Sequence, residues 1–102
     1  MSYQLKNFVE RHYKLKVSFQ KRVVRSLKVI SHRTCWISFD QPIHATPGQF
    51  VMIWLPGKGE KPYSIASLDP FGILVVDVGP FSHALHHLKA GEAVWIKGPL
   101  GH

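Results

Sequence analysis

The sequence predicts an all-β protein, a small antiparallel barrel of six strands with one short helix before the last strand. Six short segments rich in β-branched and aromatic residues alternate with turn signals, among them Pro47-Gly48 and Asp69-Pro70-Phe71-Gly72. A length of 102 residues, 45% of them apolar, suits one domain with a single modest core. No G-x-G-x-x-G follows a strand and no P-loop occurs, which excludes a nucleotide-binding α/β domain.

The first two strands are predicted to form a hairpin. Val23 to Ile30 is rich in β-branched residues, Ser31-His32-Arg33 is a turn, and Thr34 to Phe39 is the returning strand. Asp40-Gln41-Pro42 ends the hairpin because proline cannot donate to a sheet ladder. Alternation divides the side chains of the second strand between two faces, with Cys35, Ile37 and Phe39 on one and Trp36 on the other.

Four more strands follow along the chain. Gln49 to Leu55 is a continuous apolar run, which predicts a strand buried on both faces. The fourth strand begins at Lys61, the fifth spans Ile73 to Val78, and the last spans Ala93 to Lys97.

The single predicted helix covers about residues 82–89. Leu85 and Leu88 are three residues apart, as on one face of a helix. Ser82 precedes them as the expected N-cap, and Ala90-Gly91 supplies the stop signal.

Basic residues are concentrated in the first third of the chain. Residues 1–33 hold nine of the 13 Lys and Arg residues against one acid, Glu10, so the excess charge of +7 lies there. We predict that residues 1–20 form a basic N-terminal extension and that residues 21–102 form the barrel. Such charge fits nucleic acid, an acidic partner or anionic lipid, but a solvated basic face is the favoured interpretation.

The composition also bears on compartment. The single cysteine, Cys35, excludes an internal disulfide and a four-cysteine iron–sulfur site within the chain. The longest apolar runs, Phe50 to Leu55 and Ile73 to Val76, are too short to span a bilayer, and the N-terminus lacks the layout of a secretory signal. We therefore expect a cytoplasmic protein without a membrane partner.

The first candidate site is the run from Lys61 to Ser67 at the start of the fourth strand. Lys61, Tyr63 and Ile65 share one parity and so one face, where a ring and a cation would suit a flat ligand with an anionic tail. Ser64 points the other way on an ideal strand. The alternative is an edge strand that carries a surface tyrosine.

The second candidate site is Gly79-Pro80-Phe81-Ser82, where the helix is predicted to begin. Free N–H groups at a helix start suit a phosphate, and glycine allows close approach; the alternative is an ordinary cap. His83 and His87 have a spacing that can bind zinc, with His86 beside them. No cysteine or carboxylate neighbours these histidines and H-E-x-x-H is absent, so surface histidines are the better interpretation.

Four motifs together resemble the ferredoxin–NADP reductase superfamily. Lys61 to Ser67 is similar to its R-x-Y-S/T flavin motif, and Gly79 to Ser82 to its G-x-x-S/T phosphate motif. Leu88 to Gly101 resembles its L-K-x-G-[DE] to G-P-[LV]-G ending, and Pro47 to Val51 its P-G-Q-[FY]-[VI] opening. Within the superfamily, the resemblance is nearest to electron-transfer subunits of dihydroorotate dehydrogenase and their archaeal relatives.

The resemblance implies a six-stranded Greek-key barrel that binds FAD rather than FMN. It implies that Tyr63 packs on the isoalloxazine, that Ser64 lies near its reactive edge, and that Ser82 with Gly79 holds the pyrophosphate. The cofactor-binding set predicted in this way comprises Lys61, Pro62, Tyr63, Ser64, Ile65, Val76, Val78, Gly79, Phe81 and Ser82.

Three departures from the family pattern shape the expected role. Lys61 replaces the usual arginine, so a bidentate fork becomes a point charge. The chain stops where a pyridine-nucleotide domain would begin, and it lacks the cysteine cluster of iron–sulfur members. We therefore expect an electron-transfer module that shows no NAD(P)H activity alone. Its expected partners are a catalytic dehydrogenase subunit and a nicotinamide-binding or iron–sulfur protein; self-association is left open.

Two alternatives compete with the flavin interpretation. One is a non-enzymatic basic β-barrel that binds nucleic acid through residues 6–33 and exposed aromatic side chains. The other is a barrel that has lost its cofactor and serves as a docking subunit. The colour of the purified protein, or a flavin absorbance band after FAD is added, distinguishes the flavin interpretation from both.

Overall fold

The computed structural model describes residues 19–101, so residues 1–18 of the predicted N-terminal extension lie outside the described residues. The described chain forms six strands and one helix. In chain order they are β1 (Phe19–Ser31), β2 (Thr34–Phe39), β3 (Phe50–Leu55), β4 (Gly59–Leu68), β5 (Phe71–Val76), α1 (Pro80–His86) and β6 (Ala93–Leu100).

The strands close into an antiparallel barrel in the order β1-β2-β5-β4-β3-β6, which confirms the predicted fold class. β1 is longer than predicted because it pairs with two partners in succession. Its first half, from Phe19 to Val23, pairs with β6, and its second half, from Val24 onward, pairs with β2. This double pairing closes the barrel and leaves no open edge between β1 and β6. β1 therefore includes Phe19 and Gln20, which were predicted in the extension.

The core fills the barrel interior with the inward-facing residues of every strand. In β2, Cys35, Ile37 and Phe39 are buried as predicted, while Trp36 faces outward and is only half-buried. In β3, Val51, Ile53 and Leu55 point inward and are buried. No helix within residues 19–101 has the length and apolar character that crossing a membrane requires.

The prediction that β3 is buried on both faces is wrong for most of its outer face. Phe50 and Met52 point outward and remain half-exposed, because alternating residues of a barrel strand face solvent. Trp54 is the exception, at 3% exposure. Its ring packs against Trp95 and Phe19, with centroid distances of 5.6 and 5.9 Å.

The predicted turn at Asp69 to Gly72 is too long, since β5 already begins at Phe71. Gly72 is a strand residue that pairs with Ser38, and a side chain is excluded there because the Trp36 indole lies over it and a Cβ atom would overlap that ring. β5 also ends at Val76, two residues before the predicted end, so Val78 lies in the loop that leads to α1.

The helix begins two residues earlier than predicted, and Ser82 is not its N-cap. Gly79 is the N-cap, Pro80 opens the helix, and Ser82 is the third helical residue. Proline suits the first helical position because its fixed φ is helical and its missing N–H would be unpaired there. The helix ends at His86, with His87 as C-cap, before the predicted Ala90-Gly91 stop.

Candidate functional site

A shallow pocket of about 240 Å³ lies between the start of β4 and the start of α1. Its walls combine the two candidate motifs, although they are separated by the whole of β5. The residues that line it are Lys61, Tyr63, Val78, Gly79, Pro80, Phe81 and Ser82. The motifs meet because β4 pairs antiparallel with β5, so the loop after β5 lies beside the start of β4.

Tyr63 supplies a flat apolar surface in this pocket. It pairs across the sheet with the inward-facing Val51, and its side chain is half-buried against the core. Its ring stacks near-parallel to that of Phe81, with centroids 6.3 Å apart and planes inclined by 20°. Burial, and then the charge of Cys35, raises the pKa of Tyr63, so its hydroxyl stays protonated at neutral pH.

Lys61 supplies the pocket's positive charge. It lies on the same face of β4 as Tyr63, and its side chain is exposed. Its ammonium group makes no hydrogen bond or ion pair with any residue between 19 and 101. An anionic group of a ligand can therefore bind it without displacing a partner among the residues that the structure describes.

The loop between β5 and α1 is held by the hydroxyl of Ser82. Its Oγ accepts the N–H groups of Val78 at 2.9 Å and Gly79 at 3.1 Å, and donates to the Gly79 carbonyl at 3.2 Å. Ser82 is only 4% exposed, so its hydroxyl acts mainly on the loop. Gly79 itself is extended, with φ 178° and ψ −176°, and a Cβ atom there would meet nothing within 4 Å. Its open side allows a ligand to approach the backbone closely.

Two residues that sequence reasoning missed, Arg33 and Asp77, hold the other end of this loop. The Arg33 guanidinium donates to the Asp77 carbonyl from Nε at 3.3 Å and from Nη2 at 2.9 Å, and the Asp77 N–H donates to the Arg33 carbonyl at 2.8 Å. The two residues are 44 positions apart. No local pattern in the sequence could connect a turn residue with a loop at that distance.

Asp77 also bonds to the helix through its carboxylate. The His83 Nδ1 atom lies 3.0 Å from Asp77 Oδ2. This hydrogen bond is the main cause that lowers the pKa of Asp77; the charges of His83, His86 and Arg33 act in the same direction, and desolvation opposes them. The carboxylate is therefore ionised at neutral pH and is paired beside the pocket.

The three helix histidines have partners within the protein. His83 bonds to Asp77, His87 Nδ1 lies 2.9 Å from the His83 carbonyl, and His86 Nε2 lies 2.8 Å from the Val75 carbonyl. Contacts with carboxylate and carbonyl oxygens fit a structural role for these rings better than a metal-binding one.

Four of the predicted cofactor-binding residues lie outside this pocket. Pro62 and Ser64 are exposed on the opposite face of β4, where they pair with Met52 and Phe50. Val76 is 49% exposed at the end of β5. Ile65 borders a second pocket of about 270 Å³, whose other lining residues are Thr46, Pro47, Gly48, Ala66, Ser67 and Leu68. The pocket thus gathers Lys61, Tyr63, Val78, Gly79, Phe81 and Ser82 from the predicted set.

Sequence comparison with known proteins matches the barrel to a family. A family model described as an oxidoreductase FAD-binding domain matches residues 21–102. The probable dihydroorotate dehydrogenase B (NAD(+)) electron transfer subunit of Thermococcus kodakarensis is 53% identical over 64 residues, which cover 63% of this chain and 27% of the relative. Its counterpart in Pyrococcus horikoshii is 51% identical over 63 residues, 62% of this chain and 25% of the relative. The matches thus span about a quarter of each curated relative.

Solved structures share the fold. A ferredoxin NADP+ reductase from Neisseria gonorrhoeae, solved with bound FAD and NADP, superimposes with a TM-score of 0.73 at 20% identity, over 83% of this chain and 39% of the other. A ferredoxin reductase in carbazole 1,9a-dioxygenase gives a TM-score of 0.71 at 26% identity, over 82% and 29%. These likenesses are to barrels within larger reductases.

The residues around the pocket fit FAD: a flat aromatic surface for a ring system, a cation for a phosphate, and an open backbone at Gly79. The comparisons favour the flavin interpretation over a nucleic-acid-binding barrel, and FAD is confirmed as the predicted cofactor. The chain belongs to the family of oxidoreductase FAD-binding domains.

Proposed function

We propose that this barrel holds FAD in the electron-transfer subunit of a flavoprotein oxidoreductase, with the pocket between β4 and α1 as part of the cofactor site. The observation that carries the proposal is the meeting of an aromatic surface, an exposed cation and an open glycine in one pocket. These are three features that a cofactor with a flat ring and a pyrophosphate requires, and they come from two separate parts of the chain.

Each residue has a defined part in this proposal. The Tyr63 ring packs against the isoalloxazine, while Lys61 pairs with the pyrophosphate as a point charge. Gly79 lets the phosphate approach the backbone, and Ser82 keeps that loop in place. Val78 is 75% exposed and gives the pocket an apolar edge against the cofactor. Contacts from Pro62, Ser64, Ile65 and Val76 remain predictions.

The bound flavin supplies the redox chemistry, and the protein binds and orients it. Tyr63 and Phe81 exclude water from one side of the pocket because both rings are apolar and partly or fully buried. The Tyr63 hydroxyl, protonated at neutral pH, adds no negative charge near the ring. The residues around the pocket therefore contribute orientation and electrostatics.

The proposed partners follow from the curated relatives, which are named as electron transfer subunits of dihydroorotate dehydrogenase B (NAD(+)). We propose that the barrel works with a catalytic dehydrogenase subunit and exchanges electrons with a nicotinamide-binding or iron–sulfur protein. Co-purification of the chain with such a subunit, and flavin reduction only in the assembled complex, would support this arrangement.

The test of the site uses the 102-residue chain and its Tyr63 variants. FAD titration, followed by flavin fluorescence, should give Tyr63→Ala an affinity lower by roughly 1–3 kcal/mol, the size of an aromatic stacking contact. Tyr63→Phe is the matched control and should keep most of the affinity, because the ring makes the contact. A folded wild-type chain that binds no FAD would favour the barrel that has lost its cofactor; equal affinity in all three proteins would remove Tyr63 from the site.

A further inference from the structure

The loop Asp77 to Gly79 forms one wall of the pocket, and every residue in it has its backbone bonded to the rest of the protein. Asp77 is bonded through both its N–H and its carbonyl to Arg33, and Val78 and Gly79 donate to the Ser82 hydroxyl. A three-residue connection with no regular structure is thus fixed before any cofactor arrives.

Arg33 is the part of this arrangement that lies farthest from the pocket in sequence. It sits in the β1–β2 turn, outside every motif that points to the flavin. Its Nε and Nη2 atoms converge on a single carbonyl oxygen, and its own carbonyl accepts the Asp77 N–H in return. These three hydrogen bonds connect the end of the β1–β2 hairpin to the start of the loop.

The consequence for the cofactor lies at Gly79. Asp77 is two residues before Gly79, so the position of its backbone sets where the loop enters α1. In the observed conformation Gly79 is extended and its open side carries no neighbouring atom within 4 Å. A loop released at Asp77 would sample other conformations, and ordering it again would oppose binding of a phosphate at its backbone.

We propose that Arg33 is a positioning residue for the cofactor's phosphates: its bonds to Asp77 hold the loop so that Gly79 stays open to the pocket. This inference rests on the proposed function, since it assumes that the FAD phosphates lie against the loop. It assigns no contact between Arg33 and FAD. The guanidinium acts through the Asp77 carbonyl, so the geometry of the fork matters as well as its charge.

The experiment compares FAD with riboflavin, which has the isoalloxazine ring and no phosphate. Binding to the full chain is measured by flavin fluorescence in about 0.5 M salt, where long-range charge effects are largely screened. Arg33→Ala should weaken FAD binding about 3- to 10-fold, the range for losing one or two net hydrogen bonds, and leave riboflavin affinity unchanged. Arg33→Lys keeps the charge without the fork and should stay weakened. Arg25→Ala removes one charge from the exposed side of β1 and should match wild type.

The outcomes separate the two proposals. If wild type binds FAD and Arg33→Ala binds it equally well, the positioning role of Arg33 falls while the proposed function stands. An equal loss of affinity for FAD and riboflavin would also overturn that role, because it indicates general destabilisation of the protein rather than a displaced loop at the phosphates. Full recovery of FAD affinity in Arg33→Lys would mean that the positive charge, and not the forked geometry of the guanidinium, holds the loop. If wild type binds no FAD, the proposed function itself fails.

Discussion

Gly79→Ala gives the sharpest test of whether the FAD phosphates lie against the loop before α1, because the fold tolerates the added methyl group. The backbone at Gly79 is extended, at φ 178° and ψ −176°, which other residues also adopt, and its Cβ would meet no atom within 4 Å. Alanine is a poorer N-cap than glycine by an amount on the order of 0.5 kcal/mol, but it also lowers the entropy of the unfolded chain by a similar amount. We therefore expect the free energy of unfolding to change by less than about 1 kcal/mol.

The same methyl group should obstruct FAD. It would stand on the open side of Gly79, a residue that lines the pocket together with Lys61 and Tyr63. The N–H groups of Asp77, Val78 and Gly79 already donate within the protein, so the interaction at risk is the charge-assisted one between the phosphate and Lys61 in the same pocket. Losing it is worth about 1.5–3 kcal/mol, or roughly a 10- to 150-fold loss of affinity. Riboflavin should bind the variant as it binds wild type, because it lacks the phosphates.

The assay pairs a thermal unfolding curve without cofactor with fluorescence titrations of FAD and riboflavin. The expected result is a near-wild-type melting temperature, weakened FAD binding and unchanged riboflavin binding. Unchanged FAD affinity in a folded Gly79→Ala protein would refute the reasoning, because the phosphates would then lie elsewhere. A parallel loss of both flavins would indicate that the methyl group disturbs the ring rather than the phosphate.

Three further predictions concern Lys61, Ser82 and Cys35. Lys61→Arg should tighten FAD binding by about 1 kcal/mol through an added charge-assisted hydrogen bond. The control Lys58→Arg, in the exposed loop before β4, should leave FAD affinity unchanged. Equal FAD affinity in both variants would remove Lys61 from the site. Ser82→Ala leaves the N–H groups of Val78 and Gly79 without their acceptor and should lower the free energy of unfolding by about 1–3 kcal/mol in urea titrations, a loss that an ordinary surface serine would not show. Cys35 is buried, so its thiol should react with a disulfide reagent at pH 8 only as fast as the protein unfolds, and rapid labelling of the native protein would contradict this. Burial also chiefly raises the pKa of Cys35 from 9.0 to about 11, so the stability that the protonated thiol contributes below pH 9 should be lost as the pH rises toward 11.

Local residue patterns determined most of the barrel. The bounds of β2 and its buried face were predicted correctly, because Cys35, Ile37 and Phe39 alternate with outward residues and proline closes the segment. Residue types likewise marked Tyr63 and Gly79 as neighbours of a flat, phosphorylated ligand. Such signals lie within a few residues of one another, and the physical rules that govern them depend only on strand and helix period.

The tertiary structure decided what depends on residues far apart in the chain. Gly72 was expected in a turn, but the ring of Trp36 lies over it, and only strand pairing brings these two residues together. Ser82 was expected as a cap, but its buried hydroxyl holds the loop instead. Arg33 carried no sequence signal for a role at the pocket, because its contact with Asp77 exists only once β2 pairs with β5 and places the β1–β2 turn beside the end of β5.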